Sequence, residues 1–195
     1  NSIGQQTQDL KYDKEPTHLK IGDNNTFREF CTVNRATSPG DYTIVGSNGN
    51  FLAYSHIGHD CRVGDHVIFS NNGTLAGHVT VGDYAILGGL TAIHQFCQIG
   101  AHVITGGCSK IVKDIPPYMM ADGNPAKVRA HNAIGLQRRG FSDKSVASIK
   151  EAHKILYRQN YTVSQALSSL EQIKSLTDET KISIDFVKNS NRGVH

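Results

Sequence analysis

Histidine is the residue type in this chain best suited to chemistry near neutral pH. The sequence of 195 residues holds ten histidines, and an unperturbed imidazole titrates near pH 6.5, so it can accept or release a proton under physiological conditions. His59 and His78 are nineteen residues apart, and His78 and His94 are sixteen apart. A chain that returns to the same face every eighteen or so residues would place them on neighbouring turns. We therefore expect a site at one edge of the fold, formed from His56, His59, His78, His94 and His102.

Three interpretations of this cluster compete. Zinc binding requires three or four ligands in tetrahedral geometry, and the HExxH spacing is absent. Structural histidines, hydrogen-bonded along the fold, are the second interpretation, and we assign His66 and His102 to that role. A general base is the third. His59 is its best candidate, because the adjoining Asp60 carboxylate can fix the tautomer of the ring and stabilise the imidazolium.

The segment around Gly77 could supply the other half of such chemistry. The sequence has no serine or cysteine in a nucleophile elbow, so a histidine base would act by activating a hydroxyl of the substrate. The lack of a side chain at Gly77 lets a backbone amide approach a ligand closely, as an oxyanion donor must. A corner glycine without a catalytic role explains the same residue equally well.

A six-residue repeat must position these residues. Every sixth residue from Val45 to Ile111 is aliphatic or aromatic except Thr105, and the residue two places earlier is mostly small. This period fits neither an α-helix nor an alternating strand. It is typical of a parallel β-helix, in which each hexad forms a short strand and a corner. We expect the large and the small residue to face inward, and glycine, asparagine or aspartate to relax the corner where the backbone turns.

The repeat divides the chain into two predicted domains. Residues 1–126 are predicted to form the β-helix, with excursions near 5–20 and 36–44, and residues 127–195 a helical C-terminal domain. Three to four helices are predicted there: a short one within 132–141 that ends at Gly140, one capped by Ser142 to about Gln159, one with a Thr162–Gln165 capping box through Lys174, and one capped by Thr177 to about Lys188. We expect these helices to cover the exposed edge of the last coil.

Composition narrows the class of protein. The chain is 38% hydrophobic without a long apolar run, so neither a membrane span nor a signal peptide is expected. It begins within the repeat, and we expect further coils upstream. Three of the four cysteines occupy small inward positions and no CxxC occurs, which favours a reduced, cytoplasmic protein.

The charges are unevenly distributed along the chain. Residues 1–126 carry 8 Lys/Arg against 11 Asp/Glu, and residues 127–195 carry 12 Lys/Arg against 6 Asp/Glu. The basic tail is either a solvated surface or a docking surface for an acidic partner, whereas no nucleic-acid-binding motif accompanies it.

Six segments of the sequence stand out: QDLKY (8–12), HIGHDC (56–61), NNGTLAGHV (71–79), GGLTAIHQFCQIGAH (88–102), PPYMMADGNPA (116–126) and GLQRRGF (135–141). Together they resemble one family, the bacterial UDP-N-acetylglucosamine O-acyltransferases that begin lipid A biosynthesis. The resemblance extends over nearly the whole chain. It implies a homotrimer of left-handed β-helices, with active sites in the clefts between neighbouring subunits.

The resemblance also implies the reaction and its participants. An (R)-3-hydroxyacyl chain would pass from acyl carrier protein to the 3-hydroxyl of UDP-N-acetylglucosamine, without a metal or redox cofactor. Acyl carrier protein is acidic, which would give the basic tail a partner. A related UDP-sugar N-acyltransferase and a zinc-dependent hexapeptide-repeat enzyme are the alternatives.

By the same resemblance, individual residues acquire roles. His59 would be the general base, Asp60 would orient it, and the Gly77 amide would stabilise the oxyanion. Gly107 matches the position that measures the acyl chain, and its lack of a side chain implies a long groove. The substrate-binding residues implied are Asp9, Lys11 and His56 for the sugar nucleotide, His78 and His94 for the wall of the site, Gln95 for the nucleotide, and Asn132, Arg138 and Arg139 for uridine and diphosphate.

Overall fold

The repeat folds as a left-handed parallel β-helix in the computed structural model, which describes residues 1–173 and 176–194. Successive short strands belong in turn to three parallel sheets, called first, second and third in the order in which the chain enters them, so each coil is a triangle. The strands are β1 (Ser2–Gln5), β2 (His18–Ile21), β3 (Thr26–Phe27), β4 (Thr32–Asn34), β5 (Tyr42–Val45), β6 (Asn50–Phe51), β7 (His56–Ile57), β8 (Arg62–Val63), β9 (Ile68–Phe69), β10 (Thr74–Leu75), β11 (Thr80–Val81), β12 (Ile86–Leu87), β13 (Ala92–Ile93), β14 (Gln98–Ile99), β15 (Ile104–Thr105), β16 (Lys110–Ile111), β17 (Met119–Gly123) and β18 (Ala126–His131).

Strand register sets the length of one coil. In the first sheet, Ile57 pairs with Leu75, Leu75 with Ile93, and Ile93 with Ile111. Each step is eighteen residues, or three hexads. The predicted β-helix and its period are therefore confirmed.

The large and small inward positions form one continuous core. Phe51, Ile57 and Leu75 are fully buried, and Cys61 and Cys97 fill small inward positions between such residues. Thr105, the exception in the repeat, is also buried: its hydroxyl accepts the Gly88 N–H at 2.9 Å and lies 3.1 Å from the Thr91 hydroxyl. This pairing satisfies a polar group that would otherwise destabilise the core.

The expectation that glycine relaxes the corners is wrong, whereas the expectation for asparagine and aspartate is confirmed at Asn48 and Asp60, with φ of 60° and 59°. The left-handed backbone also falls on bulky residues, for example His66, His78 and Phe96, with φ of 55°, 60° and 65°. Each corner residue gains a hydrogen bond to the coil before it, as His78 N–H does to the His59 carbonyl at 2.9 Å. The glycine after the large residue has a steric role, because a Cβ on Gly82 would come within 2.9 Å of the Gly100 carbonyl carbon on the next coil.

Two segments leave the coil. The first joins β1 to β2 and covers residues 6–17, and the second joins β4 to β5 and covers residues 35–41. Both are shorter than the predicted 5–20 and 36–44, since the flanking residues pair within their sheets.

The boundary predicted at residue 126 lies too early for the helical part. β18 pairs antiparallel with β17 as far as His131, and β17 pairs with β15, so this hairpin extends the third sheet of the β-helix. Its inward residues, Ala126 and Val128, alternate with exposed Lys127 and Arg129. Alternation of buried and exposed residues is typical of an ordinary β-strand, and it does not follow the six-residue repeat of the coils.

In the described part of the chain, four helices follow the hairpin: α1 (Ala133–Arg138), α2 (Asp143–Tyr157), α3 (Val163–Glu171) and α4 (Asp178–Lys188). Ser142 caps α2, and Thr162 with Gln165 forms the predicted capping box of α3. Thr177 precedes α4 without a side-chain cap bond to any described residue. The predicted end of the third helix, Lys174, lies outside the described residues.

The helices pack on the β-helix as expected. Leu136 of α1 and Ile149 of α2 join the core of the coils, and α3 and α4 pack against the far side of α2. Among the described residues, no helix combines the length and the apolar character that a membrane span requires.

Candidate active site

The corner between the first and second sheets, here called the histidine corner, carries the predicted base. It consists of residues 58–60, 76–78 and 94–96, which follow β7, β10 and β13 on three successive coils. The pairing of these strands puts His59 beside Gly77 and places His78 between Asp60 and Phe96. Three of the five clustered histidines, His59, His78 and His94, therefore share one corner, as predicted.

His59 is held by hydrogen bonds on one side of its ring. Its Nδ1 lies 2.7 Å from Asp60 Oδ2 and 3.1 Å from Thr37 Oγ1. With the proton on Nδ1, the ring donates to both oxygens and directs the lone pair of Nε2 away from them. No described residue forms a hydrogen bond with Nε2. The His59 side chain is 13% exposed, so this lone pair faces a restricted space and could accept a proton there.

Asp60 is an ionised partner. Burial by itself raises the pKa of Asp60, but hydrogen bonds from His59 and Thr37, and the nearby His78, outweigh it and bring the pKa below its ordinary value. The Thr37 N–H donates to Oδ1 at 3.1 Å, and His78 Nε2 lies 3.6 Å from Oδ2. An anion at this position stabilises the positive charge that His59 acquires when it takes a proton.

Gly77 leaves the space that the His59 ring fills. A Cβ on Gly77 would lie 2.5 Å from His59 Nε2 and 3.0 Å from Nδ1, closer than van der Waals contact allows. Within the described part of the chain, the Gly77 amide N–H has no hydrogen-bond acceptor. The amide is therefore unpaired within the described residues, next to the imidazole of the preceding coil.

The loop of residues 6–17 reaches the same corner. The Thr7 and Thr37 hydroxyls lie 2.9 Å apart, and Thr7 Oγ1 accepts the Asp9 N–H at 3.0 Å. These contacts continue the hydrogen-bond chain from His59 into the loop. One carboxylate oxygen of Asp9 and one ring nitrogen each of His59 and His78 lie within 4.8 Å of one another. Lys11, two residues on, has an exposed side chain and a backbone N–H that donates to Asp9 Oδ1 at 2.9 Å.

The remaining predicted residues of this corner lie at its edges. His56 pairs with the Thr32 hydroxyl at 2.7 Å, and its pKa is lowered by burial and by nearby His59. His94 and Gln95 are exposed, and His94 Nδ1 is 3.2 Å from the Gln95 carbonyl oxygen. Both side chains can therefore reach a ligand bound against the corner.

Other predicted residues lie at a second corner, between the second and third sheets. His102 belongs there, stacked between Tyr84 and Tyr118, so placing it with the other histidines is wrong and its structural assignment fits better. Burial is the main cause that lowers the pKa of His102 to about 4. Arg139 donates to the Tyr84 carbonyl at 3.3 Å and its guanidinium lies 5.0 Å from the Tyr84 ring centre.

Asn132 and Arg138 flank that second corner. The Asn132 side chain is buried, caps α1 by accepting the Gly135 N–H at 3.1 Å, and donates to the His102 carbonyl at 2.9 Å. Arg138 is exposed. Gly107 lies at the third corner, between β15 and β16. Within one chain, the predicted site residues are thus divided among three corners.

Sequence reasoning missed three threonines around the base. Thr37 and Thr7 link His59 to the loop, and the fully buried Thr43 accepts the Asp60 N–H at 2.8 Å. The only signal for Thr37 is its place in the second excursion, which the structure folds onto the histidine corner. Thr43 stands two residues before Val45, where any small residue fits the repeat.

Comparison with known proteins gives the family. A family profile described as UDP N-acetylglucosamine O-acyltransferase, domain 2, matches residues 114–195. Enzymes named acyl-[acyl-carrier-protein]–UDP-N-acetylglucosamine O-acyltransferase are similar along the chain. That of Thiobacillus denitrificans is 48% identical over 99% of this chain and 75% of its own, and that of Ectopseudomonas mendocina is 46% identical over 100% and 76%.

Solved structures agree with these relatives. The UDP-N-acetylglucosamine acyltransferase of Bacteroides fragilis superimposes with a TM-score of 0.95 at 38% identity, over 99% of this chain and 76% of that one. The Arabidopsis enzyme of that name gives 0.93 at 37%, over 98% and 70%. Sequence and fold thus lead to the same conclusion: this chain belongs to the acyl-[acyl-carrier-protein]–UDP-N-acetylglucosamine O-acyltransferase family.

Proposed function

We propose that this protein transfers a (R)-3-hydroxyacyl chain from acyl carrier protein to the 3-hydroxyl of UDP-N-acetylglucosamine, the first step of lipid A synthesis. One observation carries the proposal. His59 Nδ1 is bound to Asp60 at 2.7 Å, which leaves Nε2 next to Gly77 of the following coil and without a hydrogen-bond partner among the described residues. A base and an oxyanion donor on adjacent coils are what acyl transfer to a hydroxyl requires.

The geometry supports the following sequence of bond changes. His59 Nε2 takes the proton of the sugar 3-hydroxyl while the hydroxyl oxygen forms a bond to the thioester carbonyl carbon. The carbonyl oxygen becomes an oxyanion, which the Gly77 N–H stabilises. When the C–S bond breaks, the thiolate of the carrier prosthetic group takes the proton from the imidazolium, and His59 is restored. Asp60 remains ionised throughout and lowers the energy of the charged ring.

We propose a homotrimer, because the site residues of one chain lie on three separate corners. The histidine corner of one subunit and the second corner of its neighbour can flank one cleft, which unites His59 with Arg138 and Arg139. Arginine suits the diphosphate, since its planar fork donates paired hydrogen bonds. The exposed Phe30, Tyr54 and Leu90 of the third corner supply the apolar surface that assembly would bury. Sedimentation equilibrium should give three times the chain mass of 21.3 kDa.

Gly107 is proposed to set the length of the acyl groove. A Cβ there would meet only the Gly89 carbonyl oxygen on the preceding coil, at 3.3 Å, so the third corner has open space beside these two glycines. A methionine at this position would fill that space and shorten the groove. Wild-type protein should therefore accept longer acyl chains than Gly107→Met does.

The acyl carrier protein is proposed to dock on the basic tail. A groove of about 410 Å³ near β18 and α2 is lined by Lys113, Lys127, Arg129 and Arg158, together with Val128, Tyr157 and Val194. Attraction between these basic residues and an acidic carrier protein would speed the association of the two proteins and fix their relative orientation. We place the reaction in the cytoplasm, where the free cysteines Cys31, Cys61 and Cys97 would stay reduced.

A substrate-panel assay tests the proposed function. The protein is incubated with UDP-N-acetylglucosamine and a series of 3-hydroxyacyl carrier proteins, and products are identified by mass and fragmentation. An ester on the sugar 3-oxygen is expected, with a preference for one chain length. No ester product with any donor, from protein of the expected assembly state, would contradict the proposal.

A further inference from the structure

Asp9, His59 and His78 have the composition of a metal site. Two imidazole nitrogens and one carboxylate oxygen lie within 4.8 Å of one another, and all three residues are partly exposed. Among the described residues, this is the one group of three histidine, cysteine or acidic side chains close enough to share an ion. Ligand atoms around tetrahedral Zn²⁺ are about 3.3 Å apart. Side-chain rotations that move these three atoms by about 1 Å would therefore bring them to the spacing that the ion requires.

The surroundings of the trio also suit a metal. Asp60 Oδ2 holds His59 Nδ1 at 2.7 Å, which leaves Nε2 as the ligating atom and fixes the ring. Carboxylates bound to the far nitrogen of a ligating histidine are the usual outer shell of zinc sites. Asp9 Oδ1 accepts the Lys11 N–H at 2.9 Å, so Oδ2 remains for a cation.

We propose that Asp9, His59 and His78 bind Zn²⁺ when no substrate is present, and that the bound ion inhibits acyl transfer. Two imidazoles and one carboxylate leave the fourth tetrahedral position open to water. The ion occupies the Nε2 lone pair of His59, which then cannot take the proton of a sugar hydroxyl. Asp9 and His78 are also proposed sugar-nucleotide residues, so Zn²⁺ and UDP-N-acetylglucosamine exclude each other. The inhibition rests on the proposed function, whereas the binding does not.

A matched pair of variants tests the binding. His78 and His66 are both corner residues, with φ of 60° and 55°, and each stacks on an aromatic ring of the next coil at 4.6 Å. Asparagine tolerates this left-handed backbone, so His78→Asn and His66→Asn should perturb their corners equally. Only His78 belongs to the trio.

Isothermal titration of the full chain with zinc chloride is the measurement. We expect one Zn²⁺ per chain, affinity at least about tenfold weaker in His78→Asn and in Asp9→Asn, and wild-type affinity in His66→Asn. Titration in saturating UDP-N-acetylglucosamine should weaken zinc binding as well. Absence of saturable binding, or equal loss in His66→Asn and His78→Asn, would overturn the site.

Activity separates this proposal from the proposed function. Chelator-treated protein should be active, and Zn²⁺ should inhibit it over the concentration range in which it binds. Loss of activity with chelator and recovery with Zn²⁺ would overturn inhibition and make the ion a cofactor. Zinc binding with the variant pattern above, in protein that makes no acyl ester, would refute the proposed function but leave the metal site standing.

Discussion

Replacing Gly77 with alanine tests the fit between one coil and the base on the preceding coil. The backbone of Gly77 is not in the left-handed region, so alanine meets no conformational penalty there. Its Cβ would stand 2.5 Å from His59 Nε2 and 3.0 Å from Nδ1. Normal contact needs about 3.4 Å or more, and the ring must therefore move by about 1 Å, against its 2.7 Å bond to Asp60.

A displacement of about 1 Å at a reacting group can lower the rate by about 100-fold. We expect kcat/KM of Gly77→Ala to fall by about that factor. The alanine keeps its amide N–H, so the loss would come from the displaced base. Steady-state kinetics with saturating carrier donor, combined with thermal unfolding, is the assay.

Gly89→Ala is the matched control. Gly89 is also a corner glycine, but a Cβ there meets only the Asn71 carbonyl oxygen, at the ordinary distance of 3.5 Å. Gly89 lies one coil before Gly107, beside the proposed acyl groove, so both variants are compared with a short-chain donor, and kcat/KM of Gly89→Ala should then stay within about threefold of wild type. Wild-type activity in Gly77→Ala would refute the steric argument, and an equal loss in both variants would show that any methyl at a corner is harmful.

Three further predictions concern Thr37 beside the histidine corner, Asp60 within it, and His153 of α2. Thr37→Val removes the hydroxyl shared by His59 and Thr7, so kcat should fall about tenfold; Thr37→Ser should restore it, and a loss in both variants would contradict a hydrogen-bonding role. Asp60→Asn removes the charge that stabilises the imidazolium, so kcat should fall at least about 100-fold with KM little changed; a change confined to KM would count against it. Burial, with help from Arg158 and His131, lowers the pKa of His153 to about 4, whereas the unfolded value is near 6.5. The unfolded chain therefore binds more protons between these values, and stability falls as pH drops from about 6.5 to about 4. Thermal unfolding of His153→Leu should show a smaller decrease over that range, and an unchanged decrease would contradict the assignment.

The β-helix could be predicted from the sequence because its constraint is local and repeated. Each coil needs a large residue every six positions, so Phe51, Ile57 and Leu75 reveal the fold without knowledge of their partners. The cysteines at 61 and 97 follow from the same rule. The corner glycines were misinterpreted, because a close approach between coils and a left-handed backbone both favour a residue without a side chain. Only the structure separates these causes.

The candidate site was predictable to the extent that it lies on the coils. His59 and His78 could be placed together because they are about one eighteen-residue coil apart. His102 is twenty-four residues after His78, which is one coil plus one hexad, so an exact count would have assigned it to a different corner. The hydrogen bond of Thr37 to the base and the position of Asp9 within 4.8 Å of it depend on how two irregular loops fold, and no sequence period encodes that. The role of β18 was missed because its alternation is short and lacks a hexad.

The central claim is that His59 is the base for acyl transfer to a sugar hydroxyl. Its most direct test is single-turnover formation of the acylated UDP-sugar by His59→Ala, measured beside wild type with assembly state and thermal stability as controls. We predict that the chemical step slows by about 100- to 10,000-fold, while assembly and stability are retained. A variant that forms the ester at the wild-type rate would contradict the account.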